Sequence, residues 1–106
     1  MHVAVLMGGW SAERAVSLLS GAGVADALES LGHRVTRIDM GRDVAARLAE
    51  AAPDLVFNAL HGTPGEDGSV QGLMDVMGIT YTHSGLAASV IAIDKQLTKQ
   101  IGRAHV

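Results

Sequence analysis

The chain has 106 residues, 48% of them hydrophobic, with a formal net charge of −3 and no cysteine. That length gives one domain able to bury roughly two-thirds of its unfolded surface. The acidic balance excludes a basic footprint for nucleic acid and a basic membrane-binding run, and the missing cysteines exclude a disulfide framework, a thiolate nucleophile and a cysteine zinc site. No apolar stretch is long enough to span a bilayer, and Met1–Met7 lacks the basic region of a signal peptide, so a cytoplasmic location and no membrane partner are expected. Trp10, Phe57 and Tyr81 are the only aromatic residues, so the core must be aliphatic.

Val3 to Met7 is a continuous apolar run ended by Gly8 and Gly9, the pattern of a buried parallel strand. Ser11 is the expected N-cap of a helix reaching about Leu31. Its apolar positions Val16, Leu19, Val24, Ala27, Leu28 and Leu31 keep near-helical spacing, and Gly32 ends it. Val35 to Ile38 forms a second strand, and Asp43 to Ala51 a helix that stops before Pro53. Asp54 to Leu60 is a third strand, followed by a glycine-rich acidic loop. Asp67 or Ser69 is expected to cap a helix from about Val70 to Met77, closed by Gly78. Ile79 to Tyr81 is a short fourth strand. Ser84 caps another helix, and Asp94 opens a further helical turn.

Strands alternating with helices imply an α/β domain with a mostly parallel sheet and helices on both faces. The expected strand order is 2-1-3-4, with the ligand crevice at the carboxyl ends of strands 1 and 3, where the chain direction switches. The last residues, Gly102 to Val106, carry neither a cap nor a polar tail, as expected of a cut chain rather than a finished one.

Two loops fall at that crevice. The first, Gly8-Gly9-Trp10-Ser11-Ala12-Glu13, carries neither the G-x-G-x-x-G dinucleotide fingerprint nor a Walker A lysine. Glu13 places a carboxylate where a helix N-terminus would otherwise favour an anion, so a phosphate is repelled and a ligand ammonium attracted. The alternative is that Glu13 only stabilises its own helix. Trp10 either lids the crevice or covers the sheet edge, and the second is expected because large aromatics more often contribute buried area than ligand contacts.

The second loop runs from His61 to Gly68. His61 directly follows a strand end, where an imidazole can donate to a carboxylate or stand near developing negative charge, or simply hold the loop. Gly62, Gly65 and Gly68 allow the backbone to approach a ligand closely. Glu66 and Asp67 fit turn and cap roles. The histidines His2, His33, His61, His83 and His105 show no metal-ligand spacing, so no metal site is expected. Lys95 opens a helical segment, where it is either an ordinary solvated lysine or a phosphate ligand.

Three blocks together resemble the N-terminal domain of the D-alanine–D-alanine ligase family, within the ATP-grasp superfamily. They are Val5 to Arg14 with Val16-Ser17, Asn58 to Gly72, and Tyr81 to Gly85 leading to Asp94-Lys95. The resemblance covers essentially the whole chain. It implies a Rossmann-like (pre-ATP-grasp) three-layer domain from an enzyme that joins two D-alanines for peptidoglycan precursors. ATP phosphorylates the first carboxylate, and the second amine attacks the acyl phosphate. Glu13 would then bind the first D-alanine's ammonium, His61 would lie by its carboxylate, and Lys95 would face ATP. Ser84 and Gly85 would shape the wall. Many members carry Glu where this chain has Ala15, a position read as structural.

The family's central and C-terminal domains, which supply most ATP contacts and the magnesium ligands, lie outside this sequence. The chain alone is therefore expected to be inactive. Family members commonly dimerise through this domain, so a homodimer is expected. The competing readings are a free-standing small-ligand-binding module and a purely structural dimerisation domain.

Overall fold

The computed structural model describes residues 1–60 and 68–82. The elements follow in the order β1 (His2–Gly8), α1 (Arg14–Ser30), β2 (Arg34–Met40), α2 (Val44–Ala51), β3 (Leu55–Asn58) and α3 (Ser69–Met77). The three strands form one parallel sheet in the order β2-β1-β3. Register pairs His2 with Arg34 and Gly8 with Met40 on one side of β1, and Val3 with Leu55 and Leu6 with Asn58 on the other. This is the expected order 2-1-3. The fourth strand is reduced, among the described residues, to a single parallel bridge from Val56 to Tyr81, on the edge of β3 where strand 4 is expected. The helices expected from Ser84 and Asp94 lie outside the described residues.

Alternation along the strands separates two cores. Val3, Val5 and Met7 of β1 and Leu55 and Phe57 of β3 face α1 and pack with Ala25 and Leu28. Ala4, Leu6, Ile38, Met40 and Val56 face the other way and pack with Val44 and Leu48 of α2 and Val70 and Met74 of α3. Helices thus cover both faces, as a central strand apolar on both sides requires.

Helix α1 corrects two expectations. Its buried positions are Ser17, Gly21, Ala25 and Leu28, whereas Val16, Leu19 and Leu31 are exposed. The helix is apolar on several sides, and it is the row of small residues, not the bulkiest ones, that lets it lie close on β1. Ser11 is not the N-cap: the helix begins at Arg14, and the Ser11 hydroxyl instead accepts the Glu13 N–H at 3.2 Å in a local turn.

The expected stop at Gly32 holds. Gly32 is left-handed (φ 92°), its N–H reaches the Glu29 carbonyl and the His33 N–H reaches the Leu28 carbonyl, which together form a Schellman motif. Gly78 closes α3 through the same pair of bonds, to Asp75 and, from Ile79, to Met74. Helix α2 ends at Ala52, a non-glycine residue in left-handed geometry (φ 46°) just before Pro53. Ser69 is the first residue of α3 rather than its cap. The cap position belongs to Gly68, at φ 90°, a left-handed shape that glycine adopts at little cost and that brings no side chain to cap the helix. Asp67 lies outside the described residues.

Candidate functional site

Because the strands are parallel, Gly8, Met40 and Asn58 end on the same edge of the sheet. The loop after β1, the turn after β2 and the exit of β3 therefore share one rim. Gly8 and Gly9 both take φ 84°, the left-handed region where glycine is nearly free of cost. Gly8 is also hemmed in: a Cβ there would lie 2.5 Å from Asp39 Oδ1 and 2.6 Å from Arg14 Nη1. The two glycines are thus demanded by the fold as well as suited to close approach by a ligand.

The loop is held from two sides. Arg14 Nη1 donates to the Gly9 carbonyl at 3.0 Å and to Asp39 Oδ1 at 2.7 Å, while its Nη2 donates to Asp39 Oδ2 at 2.6 Å. This fork ties the start of α1 and the glycine loop to the end of β2. From beneath, Ser17 Oγ accepts the Gly8 N–H at 2.9 Å and donates to the Ala59 carbonyl at 2.7 Å. The Ala59 N–H in turn reaches the Leu6 carbonyl. At the exit of β3, Asn58 Oδ1 accepts the Leu60 N–H at 3.1 Å, and the Asn58 N–H donates to the Thr82 hydroxyl, all of it buried. Sequence reasoning missed Ser17, Asp39 and Thr82 as parts of this rim. Their partners lie 9 to 42 positions away in the chain, and no local pattern signals them.

Glu13 stands immediately before α1, at the carboxyl edge. Its carbonyl accepts the Ser17 N–H at 3.0 Å. Its side chain is exposed and makes no capping hydrogen bond, so capping does not account for it. Among the described residues its carboxylate has no ion-pair partner. Among the described residues it is thus an exposed charge at the rim. Trp10 corrects the expectation that it covers the sheet: it is 52% exposed, with the Arg42 guanidinium 5.4 Å from its ring centroid. His61, Gly62, Gly65, Glu66, His83, Ser84, Gly85 and Lys95 lie outside the described residues.

The Arg14 fork holds the Asp39 carboxyl below the usual carboxylate range, chiefly through the side-chain hydrogen bond and then through charge attraction to Arg14 and Arg47. A depressed folded value means that the stabilisation is complete above the unfolded pKa of about 3.9 and is lost as pH falls through the folded value. Asp39→Asn is accordingly expected to melt slightly below the parent at neutral pH, and the two should converge in acid. The pair is half exposed, so the gap should be small and should shrink with added salt.

An open cleft of about 310 Å³ lies between β2 and α2, lined by His2, Arg34, Thr36, Arg47 and Glu50. It sits toward the amino ends of the strands, away from the rim. Among the described residues no cluster of His, Asp and Glu could hold a metal ion, and no helix is long and apolar enough to cross a membrane.

Comparison with known proteins converges on one family. A family model described as D-ala D-ala ligase N-terminus matches residues 41–84. D-alanine–D-alanine ligases from Rhizorhabdus wittichii and Novosphingobium aromaticivorans are each 82% identical over 100 residues, which is 94% of this chain and 32% of theirs. A solved D-alanine–D-alanine ligase from Bacillus anthracis, complexed with ATP, superposes with a TM-score of 0.68 at 33% identity, over 99% of this chain and 36% of that one. The chain spans about a third of the length of the curated relatives it matches. The chain is thus similar, over nearly its whole length, to about a third of the length of D-alanine–D-alanine ligases, and its residues 41–84 match the model of their N-terminus.

Proposed function

We propose that this chain supplies the first-substrate wall of an ATP-dependent ligase that joins two D-alanines. The observation that carries the reading is Glu13: an exposed carboxylate, held at the carboxyl rim beside the left-handed Gly8–Gly9 loop, in a chain 82% identical to D-alanine–D-alanine ligases. A primary ammonium is the complement of such a group. Glu13 would bind the ammonium of the first D-alanine and so aim its carboxylate toward the second loop. His61, two residues beyond Ala59, would stand by that carboxylate and offset its charge as the phosphoryl group arrives. Transfer of the γ-phosphoryl group gives an acyl phosphate and ADP. The amine of the second D-alanine attacks the acyl carbon, and phosphate leaves. Lys95 would face ATP. Gly62, Gly65 and Gly68 would let the second loop's backbone approach the substrate.

ATP enters this reading through the family and through the ATP complex of the Bacillus anthracis ligase. Magnesium would be held by residues beyond those described here, in the two-thirds of the ligase that this chain does not span. A cytoplasmic setting and a role in peptidoglycan precursor synthesis accord with the same reading. A homodimer accords with Val16 and Leu19 of α1, which leave apolar surface exposed.

The test is dipeptide formation, read as ADP and phosphate release with D-alanine and ATP. The complete ligase carrying this segment should be active, and the 106-residue chain alone inactive. Glu13→Gln in the complete protein is expected to cut kcat/KM for the first D-alanine by about 10- to 100-fold, the worth of one charge-assisted contact. Unchanged kinetics would remove Glu13 from the site and favour the reading as a regulatory binding module.

A further inference from the structure

We infer that Ser17 is a positioning residue for the reaction, setting the gap between the Gly8–Gly9 loop and the exit of β3. The inference rests on the ligase reading, which places the first D-alanine across that gap. Ser17 has no exposed surface, and its hydroxyl both accepts and donates a hydrogen bond. It accepts from the Gly8 N–H and donates its single proton to the Ala59 carbonyl, so the direction of the chain Gly8 N–H to Oγ–H to Ala59 O=C is fixed. Both partners are main-chain atoms, so no side-chain rotation can absorb a change in the spacing.

The main chain of the same residue adds a helical bond that Ser17→Ala would keep. The Ser17 N–H donates to the Glu13 carbonyl. One residue therefore ties together the glycine loop, the exit of β3 and the backbone that carries the proposed ammonium ligand. A buried hydroxyl needs partners wherever it lies, and Ser17 takes both of its own from the main chain of the two rim segments. With Ser17→Ala, two buried main-chain groups lose their partner, and the loops are free to reseat by a few tenths of an ångström or more. Catalysis is steep in such displacements.

The experiment compares Ser17→Ala with Leu48→Val, a fully buried α2 position on the opposite face of the sheet from α1, in the complete ligase, well below both melting temperatures. Both variants should lose thermal stability. Only Ser17→Ala is expected to lose kcat/KM for the first D-alanine, by about 10- to 100-fold, with the KM for ATP unchanged within about twofold. Hydrogen exchange at the Gly8 amide should accelerate in Ser17→Ala beyond the change seen in Leu48→Val. Kinetics of Ser17→Ala matching the Leu48→Val control would overturn the inference and leave the ligase reading intact. An inactive parent protein would overturn that reading, and this inference with it.

Discussion

Gly21→Ala is expected to destabilise the protein by about 1–2 kcal/mol, although helix propensity alone would make it stabilising by about 1 kcal/mol. The built Cβ would stand 2.6 Å from Met7 Cβ, far inside the ordinary contact distance of about 3.5–4.0 Å. Met7 Cβ is fixed to the backbone of β1, the central strand, so no rotamer relieves the clash. Helix α1 must lift off the sheet instead. Ser17, one turn earlier on the same row, would then be drawn away from Gly8 and Ala59, so the loss should reach the rim as well as the core. Gly23 is the internal control. It sits two residues on in the same helix, with nothing within 4 Å of a built Cβ. Gly23→Ala should stabilise by about 0.5–1 kcal/mol. Urea denaturation of the two variants decides the matter. The same sign for both would show that close packing of α1 on β1 does not limit stability.

The fold was largely legible because its cues are local. Apolar runs ended by glycine mark β1 and its loop, Pro53 bounds α2, and Gly32 and Gly78 stop their helices through backbone geometry that needs no distant partner. The buried row of α1 was not legible. Hydropathy weighs Val16 and Leu19 above Ser17 and Gly21, but closeness to a strand selects small side chains, and that preference appears only once β1 lies beneath. Ser11 and Ser69 misled for a related reason. A hydroxyl near a helix start has several local partners, and the turn at Ser11 and the left-handed Gly68 moved the caps elsewhere. At the site, Glu13 was readable from its place after a strand and two glycines. The clasp through Ser17 and the fork from Arg14 to Asp39 join residues 42 and 25 positions apart, and such bonds exist only in the folded chain.

Leu28→Ala is expected to cost about 3 kcal/mol, within the 2–5 kcal/mol range of a leucine truncated in a closed core. Leu28 has no exposed surface and packs in the cluster of Val3, Val5, Ala25, Leu55 and Phe57. Its neighbours belong to a hydrogen-bonded sheet and cannot collapse into the space vacated. The carbonyl of residue 28 still accepts the Leu31 and His33 N–H groups, so the helix stop survives and the loss measures packing alone. Leu19→Ala, on the same helix, should stay within about 0.5 kcal/mol in the monomer, because Leu19 is 77% exposed. Both residues belong to the apolar set expected from near-helical spacing, but nine positions put them on opposite sides of the helix, so the pair tests where α1 turns its side chains. Equal losses would require a helix rotated toward Leu19, which would also withdraw Ser17 from Gly8 and Ala59 and remove the clasp on which the geometry of the rim depends.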